Sequence, residues 1–220
     1  MTLRFRDRRH AGRVLADRLA HYAQRPDVLV LALPRGGVPV AFEVARALQK
    51  PLDVVVVRKL GVPGEEELAM GAVGSGGARV LNEPVVSTLN IPPAVIDAIS
   101  QREQAEVQRQ ERLYRADRPA VEIGGRTVIL VDDGLATGTT IGTAALALRR
   151  QQPAWLVIAV PVAPREACYE LKAVADDVIC VSMPEDFVAV GDWYDDFPQI
   201  TDDEVRELLR RAAADRPHAA

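Results

Sequence analysis

Two adjacent carboxylates leave an apolar run and are followed at once by a loop of glycine and threonine: Val128-Ile129-Leu130-Val131-Asp132-Asp133-Gly134-Leu135-Ala136-Thr137-Gly138-Thr139-Thr140. A loop of this kind, opening a helix, presents backbone N–H groups and hydroxyls where the helix dipole favours an anion. Gly134, Ala136, Thr137, Gly138, Thr139 and Thr140 therefore suit a phosphate group. Asp132 and Asp133 would repel that phosphate. They suit neutral hydroxyls, as acceptors from a vicinal diol, or a cation that bridges to the ligand. Carboxylates for a sugar beside a hydroxyl-rich nest for its phosphate describe a ribose 5-phosphate site. The bland alternative is a turn with a capped helix. Other phosphate loops do not fit. Three residues separate Gly134 from Gly138 and no Lys follows, so there is no Walker A loop, and no GxGxxG occurs.

Such groups must be held at strand ends along one edge of a sheet. Short continuous apolar runs at Val28 to Leu33, Val54 to Val57, Val128 to Val131, Trp155 to Val160 and Val178 to Val181 read as buried parallel strands. Helical spacing runs from Val38 to Leu48, from Pro92-Pro93 through about Arg115, from Thr139 to Arg149 and from Arg165 to Val174. This order predicts an α/β fold: a doubly wound, mainly parallel five-stranded sheet flanked by helices. The stretch Leu60 to Gly77, Gly-rich and carrying Glu65-Glu66-Glu67, reads as a loop, partly a hairpin leading to Val80-Leu81. A helix at roughly 8–24 precedes the sheet. An aromatic, acidic segment from Pro184 to Pro198 follows it, and then a helix at about 202–213. One domain over 1–220, with its core at about 26–183, accounts for the whole chain.

Composition narrows the function classes. The 220 residues are 48% hydrophobic and 26% charged, which excludes disorder and collagen-like repeats. The balance of 27 basic against 31 acidic residues, net −4, argues against a general nucleic-acid binder. Cys168 and Cys180 have no metal-ligand spacing and read as reduced thiols of a cytoplasmic protein. The N-terminus has no apolar run behind its charges, so no secretory signal is expected, and no apolar stretch is long enough to span a membrane. His10, His21 and His218 fall in no metal or triad pattern.

The thirteen residues from Val128 to Thr140 resemble the phosphoribosyl-pyrophosphate (PRPP) motif of the type I phosphoribosyltransferases. One departure is Thr139 where Gly is usual. Leu33-Pro34-Arg35-Gly36-Gly37-Val38, by itself an ordinary turn after a strand, is similar to the family's pyrophosphate loop. The resemblance implies that N–H groups near Gly36 and Gly37 and the charge of Arg35 meet the diphosphate. Arg58-Lys59 matches a position where the family places a basic residue against the pyrophosphate. Residues 60–77 take the place of the flexible loop that closes over PRPP, and 184–198 the place of the variable hood over the acceptor. The whole chain resembles a group of short bacterial and archaeal phosphoribosyltransferases through Phe5-Arg6-Asp7-Arg8, Arg58-Lys59-Leu60-Gly61 and Trp193-Tyr194-x-Asp196-Phe197. That resemblance implies a reaction class and leaves the acceptor open.

The implied reaction is Mg²⁺-dependent displacement of pyrophosphate from PRPP by a nitrogen of a small acceptor, in a homodimer. Arg35, Arg58 and Lys59 would stabilise the leaving group. The metal would be held mostly by substrate oxygens, with Asp132, Asp133 and Asp195 contributing. Phe187, Val188, Trp193 and Tyr194 of the hood are the candidate acceptor contacts, through stacking on a planar base or simply by packing the tail. The hood resembles that of the hypoxanthine-guanine enzymes. Ala136, however, stands where those enzymes carry an Asp near the purine, which disfavours 6-oxopurines. The alternatives are a PRPP-sensing regulator on the same fold, and a hydrolase or phosphorylase, for which no isolated carboxylate supplies a base.

Overall fold

A computed structural model describes residues 4–116 and 118–215. In chain order the elements begin with α1 (Arg8–Arg18), β1 (Val28–Ala32), α2 (Gly37–Leu48), β2 (Leu52–Val54), β3 (Val57–Val62), β4 (Glu65–Gly74) and β5 (Ala78–Leu81). They continue with α3 (Glu83–Thr88), α4 (Pro93–Arg115), β6 (Thr127–Val131), α5 (Thr139–Arg149), β7 (Trp155–Val162), α6 (Arg165–Leu171), β8 (Asp177–Ser182) and α7 (Asp202–Ala214). Among the described residues, no helix is long and apolar enough to cross a membrane.

The main sheet has the order β2-β1-β6-β7-β8, and every pairing in it is parallel. Alternation of side chains sorts the apolar runs into two cores. Val28, Val30, Ile129, Val131, Val157 and Ala159 face one cluster, shared with α1, α2, α4 and α7. Leu29, Leu31, Val128, Leu130, Leu156 and Ile158 face the other, shared with α5 and α6. Because the strands are parallel, the chain leaves β1 and β6 on the same edge. It runs from β1 outward to β2 and later returns to β6 on the opposite side, so the loops after β1 and β6 flank a topological switch point.

Three expectations need correction. Val54 to Val57 is not one strand. Val54 ends β2, Val55 N–H still donates to Ala32 O at 3.0 Å, and Val57 opens a second sheet. A continuous apolar run does not show where a chain passes from one sheet to the next. Residues 60–77 are mostly paired strand rather than loop: the expected hairpin toward Val80-Leu81 is present but longer, with a 3₁₀ turn at Ser75–Gly77, and β3, β4 and β5 form an antiparallel sheet. Its first connection is the two-residue turn Pro63-Gly64, with Gly64 at φ +81°. Glu65, Glu66 and Glu67 are the exposed start of β4, while Met70 is fully buried. The expected N-terminal helix is also shorter, ending at Arg18 before a 3₁₀ turn at Ala20–Tyr22.

Helix α4 is fastened at its C-terminal end by a buried ion pair. Arg115 Nε donates to both Asp53 oxygens at 2.9 and 3.0 Å, its Nη2 to Val54 O at 2.7 Å and its Nη1 to Glu111 at 2.7 Å. These bonds tie the helix to the edge strand β2. Arg115→Ala would leave Asp53 buried without its cation, at a cost of about 3–5 kcal/mol. Urea denaturation checks this, and the expected outcome is a lower midpoint at an unchanged slope.

Candidate functional site

Strand β6 delivers Asp132 and Asp133 to the crevice at the switch point. Asp133 N–H donates to Asp132 Oδ1 at 2.8 Å. Asp133 Oδ2 accepts from Arg8 Nε at 2.8 Å, in a pair whose side chains are 8% and 14% exposed. Burial pushes both carboxyls above the ordinary carboxylate range. The charge on Asp133 pushes Asp132 further, whereas the Arg8 guanidinium opposes the rise at Asp133. Asp132 is therefore the member that most needs a cation or a hydroxyl donor.

The loop after β1 lies against this pair. A Cβ at position 36 would collide with Asp133 Oδ2, and one at position 37 would stand 2.8 Å from Val131 O. Gly36 and Gly37 are thus set by contact with the acid pair, and the Gly37 N–H is already taken by Leu33 O at 3.1 Å. On the other side, the Gly/Thr loop opens α5. Gly138 has φ +73° at the helix N-cap with no side chain capping it. Thr137, Thr139 and Thr140 lie at least partly open to solvent, and the hydroxyls of Thr137 and Thr139 lie 3.0 Å apart. Thr137 Oγ1 also accepts from Thr139 N–H at 3.4 Å, and this exposed helix start, with hydroxyls beside it, fits an anion.

A polar pocket of about 320 Å³ continues from the β1 loop. Arg35, Arg58 and Arg109 line it, with Gln110, Tyr114 and Asp202. Tyr114 donates to Asp202 Oδ1 at 2.8 Å, and that oxygen is 4.0 Å from Arg35 Nη1. Three guanidiniums and one carboxylate thus line the pocket, with Glu103 and Glu106 paired to Arg58 and Arg109, and the guanidinium groups it presents suit an anion. Lys59 does not line the pocket. Its Nζ is held by Glu67 Oε2 at 3.1 Å and Glu67 O at 3.2 Å, because neighbours in a strand point to opposite faces. Arg109, Gln110 and Asp202 were not legible as site residues. Their elements meet the β1 loop only through the fold, and no local spacing marks them.

The hood candidates separate in the same way. Tyr194 is only 2% exposed, so it cannot offer a stacking face. Its ring packs on Phe5 and Phe197, and its hydroxyl, kept protonated by burial, donates to Asp133 O at 2.5 Å. Phe187 and Trp193 are half-buried against the same cluster, and Val188 is 83% exposed. Asp195 is paired with Arg4 at 2.8 Å. Among the described residues, no group of three or more His, Cys, Asp or Glu is placed to hold a metal, so Asp195 does not join the acid pair. His10 Nδ1 accepts from Arg6 N–H and His21 packs on Tyr22, while His218 lies outside the described residues.

Asp132 carries a pH signature. Its folded-state pKa is raised, so below its ordinary value the folded and unfolded chains are both protonated and the site costs nothing. As pH rises through the folded value, the buried charge forms and stability is lost. Asp132→Asn keeps the acceptor for Asp133 N–H and removes that cost. The variant should melt above the wild type at neutral pH, with the gap closing as the pH falls toward about 4. Thermal unfolding across that range checks it.

A family model described as a phosphoribosyl transferase domain matches residues 72–197. A protein named as a candidate phosphoribosyl transferase in two strains of Mycobacterium tuberculosis is 47% identical over 211 residues. That match covers 96% of this chain but 47% of the relative, so the chain spans about half the length of the curated relatives it matches. The crystal structure of TT1426 from Thermus thermophilus is 44% identical, with a TM-score of 0.86, and the match covers 95% of this chain and 99% of that one.

Proposed function

The chain belongs to the phosphoribosyl transferase family, and on that premise we propose that it moves the 5-phosphoribosyl group of PRPP to a nitrogen of a nucleobase-like acceptor, releasing pyrophosphate. The observation that carries this reading is the continuity of three surfaces along one sheet edge. The open N-terminus of α5 suits the 5-phosphate, Asp132 and Asp133 suit the ribose hydroxyls, and the arginine pocket beyond Gly36-Gly37 suits the diphosphate.

The bond from ribose C1 to the diphosphate oxygen breaks as the bond to the acceptor nitrogen forms. Positive charge grows on the sugar while negative charge grows on the leaving group. Arg58 and Arg109 are held by Glu103 and Glu106 before the reaction, so with Arg35 they would stabilise the departing charge with little reorganisation. The N–H groups at Arg35 and Gly36 would add to this, those of Gly37 and Val38 being bonded to Leu33 O and Arg35 O. Asp132 and Asp133 orient the ribose so that C1 faces the acceptor. The acid pair fits a hard divalent cation, since oxygen donors are what Mg²⁺ prefers and, among the described residues, Asp132 is in no ion pair. Asp132 is the residue that would hold Mg²⁺ together with substrate oxygens. The metal supplies neutralisation of the diphosphate. Phe187, Val188 and Trp193 are the hood residues left to meet the acceptor, and Ala136 keeps 6-oxopurines disfavoured. We further take the protein to act in nucleotide metabolism in the cytoplasm as a homodimer.

Calorimetric titration of PRPP with and without Mg²⁺, followed by purines and pyrimidines while pyrophosphate release is monitored, tests the reading. Metal-assisted binding with release triggered by one base is expected. Binding with no release for any base would favour a PRPP-sensing regulator, and no binding would overturn the proposal. Arg109→Ala should weaken pyrophosphate binding roughly tenfold or more, the worth of one charged hydrogen bond. Arg35→Ala should lower turnover more than PRPP affinity, read from steady-state and binding data together.

A further inference from the structure

We propose that Arg8, which lies outside the matched residues 72–197, is a positioning residue of the ribose site: it fixes the Asp133 carboxylate and links it to the hood. The inference rests on the transferase reading and deepens it. The Arg8 guanidinium uses each of its contacts for a different part of the molecule. Nε donates to Asp133 Oδ2 at 2.8 Å, and Nη1 donates to Pro198 O at the end of the hood at 2.7 Å. Its plane covers the Phe197 ring at 3.7 Å, a cation–π contact shielded from water. Only a planar fork can serve a carboxylate, a carbonyl and an aromatic face at once.

Without Arg8, two adjacent carboxylates would face a substrate that carries several negative charges. With it, one carboxylate is already compensated, and the crevice becomes tolerant of an anionic sugar phosphate. The same bond sets direction. Asp133 is hemmed in by the backbone of Gly36 on one side and by the Tyr194 hydroxyl on its carbonyl, so Arg8 completes the fixation of its side chain. Helix α1 itself is well placed to hold Arg8, because Asp7 caps it by accepting from His10 N–H at 2.7 Å.

The test compares a ligand that contains ribose with one that does not. Binding of PRPP and of inorganic pyrophosphate, both with Mg²⁺, is measured for wild type, Arg8→Ala and Arg8→Lys, with thermal unfolding as the fold control. Arg8→Ala should lose roughly tenfold or more in PRPP affinity and hold pyrophosphate within about twofold. Arg8→Lys, which restores the charge but not the fork, should recover only part of the loss. Should Arg8→Ala fail to fold, Arg8→Lys alone carries the test, and a selective loss of about threefold for PRPP supports the role. Wild-type PRPP affinity in a folded variant overturns it, and so does an equal loss for both ligands, which would mark a purely structural residue. A wild-type chain that binds pyrophosphate but not PRPP removes the transferase reading, and this role with it.

Discussion

A pair of acidic side chains in a place with little water is the constraint around which this end of the molecule is built. Asp132 and Asp133 directly follow β6, a strand with no exposed residue, and are themselves only partly exposed. The structure compensates from three directions. A guanidinium comes from the N-terminal helix, a tyrosine hydroxyl takes the neighbouring carbonyl, and two glycines let the adjoining loop come close. Asp132 is left with the least compensation. A site prepared in this way is unfavourable when empty and improves when a ligand supplies hydroxyls or positive charge, so stability is exchanged for affinity.

The anion pocket shows the same economy by a different route. Its arginines come from a loop, a strand of the small sheet and the C-terminal half of the long helix α4. Two of them are visibly tethered. Arg58 Nε is held by Glu103 at 3.0 Å, and Arg109 is held by both oxygens of Glu106 at 2.8 Å. Carboxylates behind the guanidiniums hold them in place while leaving other N–H groups for a ligand. The ion pair between Arg115 and Asp53 fixes the axis on which Arg109 sits, so a buried contact at the end of α4 reaches the site through a rigid helix.

The parallel sheet was legible because continuous apolar runs, separated by amphipathic ones, have few other solutions. The acid pair and the Gly/Thr loop were legible because a single turn of chain contains both. What remained hidden had no local pattern. The small sheet is built from glycine-rich strands, with Gly71 and Gly74 in β4, whose side-chain alternation is too weak to read, though a Cβ at Gly71 would collide with Val80 O. Arg109 and Asp202 look like any solvated helix residue until α4 and α7 are packed. Tyr194 was legible as an aromatic near the site, but its role was not, since stacking on a ligand and packing on Phe5 require the same ring. Arg8 was visible only as part of a shared run, and 125 positions separate it from its partner.

The N-terminal segment and the hood form a single unit although they lie far apart along the chain. Phe5 and Tyr194 make a parallel bridge, Phe5 N–H donates to Trp193 O, and the N–H groups of Asp195 and Asp196 donate back to Phe5 O and Arg6 O. The consequence concerns how such proteins can diversify. A segment that covers an acceptor would ordinarily be the easiest part to exchange between relatives by recombination. Here a transplanted hood would arrive without the N-terminal residues it pairs with, and a chimera with one crossover just ahead of Pro184 would combine a foreign hood with a native clamp. On the proposed function, a change of acceptor through this segment is therefore expected to need paired changes in two distant stretches of the chain.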